Sequence, residues 1–98
     1  MNMQSIMAQA QRMQRDLQKK KDEISVKSFT GKYEFVEVTF NGKKELTRCK
    51  INKESLDAAD IEMVEDFIIL ASKDAIDQID KEYQDKLGQY AGMLDGLM

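Results

Sequence analysis

A chain of 98 residues has room for one small domain, and the complete absence of histidine, tryptophan and proline narrows what that domain can be. Without histidine it lacks the commonest general base and the commonest zinc ligand, and its one cysteine, Cys49, has no internal partner for a disulfide. Charged residues make up 34% and hydrophobic residues 42%, with no apolar run near the roughly 18–20 residues of a membrane span, so a soluble protein of the reducing cytoplasm is expected.

The net charge of -3 is unevenly spread: residues 1–30 carry +3, residues 31–53 carry +3 and residues 54–98 carry -9. Such polarity bears on partners more than the total does. A chain this short buries only a small core, and sharing one with a second copy is a natural way to gain stability.

The chain opens on a helix, expected over about residues 3–22. Met3, Ile6, Met7, Ala10, Met13, Leu17 and Ile24 recur at spacings of three, four and seven and form one apolar stripe. Gln, Met, Leu, Lys and Arg, all good helix formers, fill the segment. The opening "MNMQSIMAQAQRMQ" lacks the apolar centre of a signal peptide, so none is expected. The period then changes. "EISVKSFTG" brings β-branched residues and predicts a strand over about 24–30, with a turn at Gly31. In "EFVEVTF", Val36, Val38 and Phe40 alternate with polar residues, a half-buried strand over about 34–41. Asn41-Gly42 predicts a type I′ hairpin turn, because both residues tolerate positive φ. "ELTRCKI" is a third strand, about 45–51, with Thr47, Cys49 and Ile51 on one face and Arg48 and Lys50 on the other. After "NKESLDAAD", in which Asp57 or Asp60 can cap, a long helix is expected over about 60–86, and Gly88, Gly92 and Gly96 mark a short tail over 88–98. The fold class is α+β: an α-β-β-β-α protomer with a three-stranded antiparallel meander.

No residue set looks catalytic. Cys49 has no base to activate it and reads as a small buried core residue. Asp66, Asp74, Asp77 and Asp80 read as a solvated acidic face, since helical di-metal sites generally also use histidine. No cofactor, metal or small-molecule substrate is expected. The methionines of the first helix are core or dimer contacts.

The stretch "RMQRDLQKKK", residues 12–21, carries five basic residues and one acid. At about 100° per residue, Arg12, Arg15 and Lys19 fall within about 60° of one another, roughly opposite Met13, Leu17 and Ile24. Lys20 borders the apolar face, where a long stem can snorkel outward. Two readings stay open at this point. In one the stripe is a solubilising face, with Arg12 paired to Asp16 and Lys19 to Asp22 or Glu23 at helical spacing. In the other it meets an external anion, and Arg15, with no acid three or four residues away, is the best placed.

Nearly the whole chain resembles the YbaB/EbfC family of bacterial nucleoid-associated proteins. The resemblance rests on "MAQAQRMQRDLQKKKDEI", "VEVTFNGKKELTRCKINKESL" and "DIEMVEDFIILASKDAIDQIDKEYQDKLG", in this order. It implies a homodimer, without enzymatic activity and without membrane attachment, located in the cytoplasm and nucleoid. Such a protein binds double-stranded DNA, alters its conformation and acts on nucleoid organisation and gene expression. Family members contact DNA through projecting helices, which implies Arg12, Arg15, Lys19, Lys20 and Lys21 as DNA-binding residues here. The chain departs from the family in having a single glycine in "TGKYEF" and a reduced tail, "YAGMLDGLM". The alternative is a protein-interaction or prefoldin-like chaperone module, which calls for longer helical arms.

Overall fold

The computed structural model describes residues 2–88. Helix α1 (Met3–Ser25) is followed by strands β1 (Ser28–Tyr33), β2 (Val36–Asn41) and β3 (Leu46–Ile51) and by helix α2 (Asp60–Leu87). The strands form one antiparallel sheet in the order β1-β2-β3. The fold is therefore α+β with α-β-β-β-α order, elongated to 70 × 20 × 17 Å. Gly88 is the only residue of the expected 88–98 tail among those described.

The core lies between one face of the sheet and α2. The alternation of β2 sends Val36, Val38 and Phe40 inward, where they meet Ala71, Ala75 and Ile79 of α2, with Phe29 of β1 and Ile24 of α1 closing the cluster. Small residues on α2 let the helix lie close to the strands. Gly31 marks the tightest point: a Cβ there would sit 2.0 Å from the Ala71 carbonyl oxygen and 2.6 Å from the Ala75 nitrogen. Sequence reading put Gly31 in a turn; it is a mid-strand residue instead, and its missing side chain is what lets helix and strand backbones touch. The turn falls at Glu34 and Phe35, between the paired residues Tyr33 and Val36, and Glu34 takes φ 52°. The Lys32 backbone N–H donates to Asp74 Oδ2 (3.1 Å) and Gln78 Nε2 donates to the Thr30 carbonyl (2.9 Å), so α2 also ties the backbone of β1.

The β2–β3 turn is not type I′. Gly42 has no positive φ; Lys44 does, at 64°. The Asn41 N–H donates to the Glu45 carbonyl and the Lys44 N–H to the Asn41 carbonyl, both at 3.0 Å. This is a three-residue hairpin loop, a turn followed by one left-handed residue. The Asn41 side chain holds it by accepting from the Lys43 and Glu45 N–H groups (2.9 and 3.1 Å). Gly42 serves close approach: a Cβ would lie 2.0 Å from the Ile24 carbonyl oxygen. Its N–H donates to the Ser25 carbonyl (3.2 Å), and its carbonyl accepts from the Tyr83 hydroxyl (2.9 Å).

A second correction concerns β3. Every residue of this strand is exposed, Cys49 included, although sequence reading buried that thiol. Cys49 and Ile51 lie opposite Val38 and Val36, hence on the inward-facing side of the sheet. The side is right but the cover is missing, because α2 packs chiefly on β1 and β2. A register shift between Thr39 and Phe40 brings Leu46 opposite Phe40, so Thr47 breaks the expected alternation.

At the α2 start the capping expectation holds in altered form. Ala59 occupies the N-cap without a side-chain bond, and Asp57 Oδ1 just upstream accepts from the Ala59 and Asp60 N–H groups (2.9 and 3.2 Å). Asp60 in turn accepts from the Asp57 N–H and pairs with Lys53 at 3.3 Å. Those contacts, the Asp57 N–H first, hold the Asp60 carboxyl below its ordinary pKa. Its contribution is complete above the ordinary carboxylate range and is lost as pH falls through the lowered value.

Candidate nucleic-acid interface

Helix α1 continues three residues beyond its expected end and takes up Ile24 and Ser25, which sequence reading assigned to the first strand. Ile24 belongs to the apolar stripe of the helix, and that stripe wins over the β propensity of the segment that follows. The Ser25 hydroxyl donates to the Asp22 carbonyl (2.7 Å), and the Asn2 side chain caps the other end by accepting from the Gln4 N–H (2.9 Å).

Only the C-terminal half of α1 is anchored. Ile24 enters the main core, and Leu17 packs with Leu87 and Tyr83 of α2. The two helices run antiparallel here, since Ile24 meets the Ile79 region and Leu17 meets Leu87. Beyond Leu17 none of the described residues covers the rest of the apolar stripe: Met3, Ile6, Met7 and Met13 are all exposed. About 14 residues, roughly 21 Å at 1.5 Å per residue, extend past Leu17, the α1 residue packed on the end of the described part of α2.

The basic stripe sits on this arm and at its base. Arg12, Arg15 and Lys19 are exposed; Lys20 and Lys21 are half-buried. None of the ion pairs among the described residues includes Arg12, Arg15, Lys19 or Lys21. The intrahelical pairs allowed by spacing therefore do not form. Asp22 accepts from Gln18 Nε2 (2.9 Å) instead. Arg15 and Lys19 line a shallow groove with Gln18, Asp22, Glu23 and Val26.

Basic residues elsewhere are mostly paired. On α2, Lys73 binds Asp77 at 2.8 Å, which raises the lysine's pKa, and Lys86 lies 4.0 Å from Glu82. Lys27 reaches the same Glu82 at 3.2 Å. Lys27, Glu82 and Lys86, together with Lys20, Glu23 and Ile24, line a second cleft of about 470 Å³ between the helices. Lys27 and Lys86, far apart in sequence, had no signal that placed them beside Lys20. The described residues contain no group of three or more potential metal ligands and no helix long and apolar enough to cross a membrane.

Arg12, Arg15 and Lys19 thus lie exposed on a long helix of an α-β-β-β-α body, outside the ion pairs of the described residues. A family model described as the YbaB/EbfC DNA-binding family matches residues 1–94. The chain belongs to this family. Its relatives include a nucleoid-associated protein of Ligilactobacillus salivarius (strain UCC118), 36% identical over 99% of this chain and 95% of its own length. Another, from Streptococcus equi subsp. zooepidemicus (strain H70), is 38% identical over 96% of this chain and 97% of its own. A third, from Agathobacter rectalis, is 41% identical over 97% of this chain and 86% of its own. Each carries the name nucleoid-associated protein. For this YbaB/EbfC chain, five residues were singled out from the sequence: Arg12, Arg15, Lys19, Lys20 and Lys21. All five lie on α1, the first three on its exposed side and the last two nearer the α2 junction.

Proposed function

We propose that the protein is a non-enzymatic, nucleoid-associated homodimer that binds double-stranded DNA through α1, with Arg12, Arg15 and Lys19 on the phosphates and Lys20 and Lys21 adding positive field. The observation that carries the reading is that no ion pair among the described residues engages Arg12, Arg15 or Lys19, on a helix whose N-terminal half none of the described residues covers, in a member of a DNA-binding family. The acidic surface of α2 keeps DNA off the remaining faces. Altered DNA conformation, nucleoid organisation and gene expression follow from holding DNA in the cytoplasm on paired arms.

Binding by phosphate contact releases counterions. About three contacts per chain in a dimer correspond to a log–log salt slope of roughly -5 at about -0.9 per phosphate. The test is fluorescence anisotropy of a labelled duplex of mixed sequence titrated with protein at rising salt. The expected outcome is binding at low salt that weakens with about that slope and varies little with sequence. No binding at low salt overturns the reading.

The dimer is supported by uncovered apolar surface. On β3 Leu46 is 53% and Ile51 37% exposed, and on α2 Ile61 is 56% and Ile69 67% exposed. Such residues, with Cys49 among them, suit a second copy placed against β3 and α2. The Cys49 thiol then reports association. Its rate of modification by a thiol reagent is expected to fall as protein concentration rises, in step with a doubling of mass in sedimentation. Ile69→Glu is expected to keep the thiol reactive at all concentrations.

A further inference from the structure

The sheet has a second face, away from α2, which no element of the described chain covers. Directly opposed residues of antiparallel strands share a face, so pairing alone sets its composition. One row across the three strands is Lys32–Glu37–Lys50, and the next is Thr30–Thr39–Arg48. Ser28 and Asn41 stand opposite each other in a third, shorter row. No large apolar or aromatic side chain interrupts these rows.

The charges on this face are unbalanced. Glu37 is the one acid in these rows, and Lys32 claims it at 3.4 Å. Lys50, directly opposite Glu37 on the other side, enters no ion pair among the described residues, and neither does Arg48. Both are exposed, two residues apart on one strand, about 7 Å along it. Beside them the hydroxyls of Thr30 and Thr39 lie 3.0 Å apart, one donating to the other.

We propose that this open face is a second surface for the phosphate backbone of duplex DNA, centred on Arg48 and Lys50, so that the protein bridges two duplexes. The proposal rests on the DNA-binding reading of α1 and extends it. Charge complementarity selects an anionic occupant. The absence of aromatic side chains in these rows argues against single strands, whose binding relies on base stacking. The absence of apolar anchors there argues against a protein partner, whose interface would need them at its centre. A row of cations and hydroxyls spaced by paired strands suits repeated phosphates. The face also lies on the far side of the sheet from α2, the helix on which α1 packs. A duplex seated there is therefore distinct from one held by the α1 arm.

The experiment pairs two measurements on the full chain at low salt. One is affinity for a single labelled duplex. The other is capture of that labelled duplex by an unlabelled duplex fixed to beads, with protein added. The variants are Arg48→Glu with Lys50→Glu, and the milder Arg48→Gln with Lys50→Gln, each checked for an unchanged melting curve. The expected result is single-duplex affinity within about threefold of the parent and capture reduced by about tenfold or more, with the glutamine pair in between. Capture at the parent level in the glutamate variant overturns the proposal. So does a parallel loss of affinity and capture, which would place both surfaces on one duplex. So does an absence of capture by the parent. Failure of the parent to bind a single duplex is different: it overturns the DNA reading itself.

Discussion

Gly31→Ala is expected to lower the melting temperature by more than about 10 °C, or to abolish cooperative unfolding, as followed by circular dichroism. The added methyl would lie 2.0 Å from the Ala71 carbonyl oxygen, 2.6 Å from the Ala75 nitrogen and 3.0 Å from the Ala75 Cβ. Two of these three neighbours are helix backbone and the third is a Cβ, so no flexible side chain can swing aside. The strand and α2 must separate, and the same interface buries Val38, Ala71, Ala75 and Ile79 completely. Overpacking costs about 1–3 kcal/mol where side chains can adjust, and more where backbones must move. In a domain of this size each kcal/mol shifts the midpoint by about 4–8 °C. Gly88→Ala is the control, since nothing lies within 4 Å of a Cβ there, and its melting curve should be unchanged. An unchanged curve for Gly31→Ala would show that the helix–sheet contact is looser than described.

The largest functional effect is expected from Arg15→Glu combined with Lys19→Glu. Both side chains are exposed and outside the ion pairs of the described residues, so reversal breaks no such bridge. Stability should therefore hold. On the proposed reading each reversal would detach one phosphate and add repulsion, and the proposed dimer would carry the change twice. Affinity for duplex DNA at low salt should fall about tenfold to a hundredfold, and the salt slope should drop by about 1 for each phosphate that is no longer neutralised. The comparison that isolates the site is Lys73→Glu with Asp77→Lys, which exchanges the members of an existing exposed pair on α2 and should leave affinity unchanged. Unchanged affinity in the α1 variant, measured by gel shift against the parent, would remove DNA contact from this stripe.

The five elements were legible because their periods differ: three to four on α1 and α2, two on β2. What could not be read was what covers what. Cys49 was assigned to the correct face, yet burial depends on the width of α2, whose main packing is on β1 and β2. The methionines of α1 lie on a genuine stripe, but only Leu17 and Ile24 of that stripe are buried in the described chain. The two glycines were misread for one reason. Glycine permits positive φ and also permits contact between backbones, and sequence does not say which freedom is used. At Gly31 and Gly42 it is the second; the positive φ angles fall on Glu34 and Lys44. Helical spacing allowed Arg12 to meet Asp16 and Lys19 to meet Asp22, but it compels neither. Solvated pairs gain so little that a competing amide, here Gln18, can take the acid.

The contacts at Gly42 have a consequence for how the arm becomes usable. Ser25 at the root of α1, the hairpin tip and Tyr83 near the far end of α2 converge on this one residue. The bond from Tyr83 spans 41 positions, so the full set of contacts exists only once the strands and both helices have assembled. A nascent or partly folded chain can form α1 locally, yet that helix has no set direction. The arm acquires its bearing in the same cooperative event that completes the molecule, and unfolding removes both together. Competence to hold a duplex should thus track global stability as an all-or-none property, and a chain released before its last helix is made would carry the basic residues without the lever that aims them.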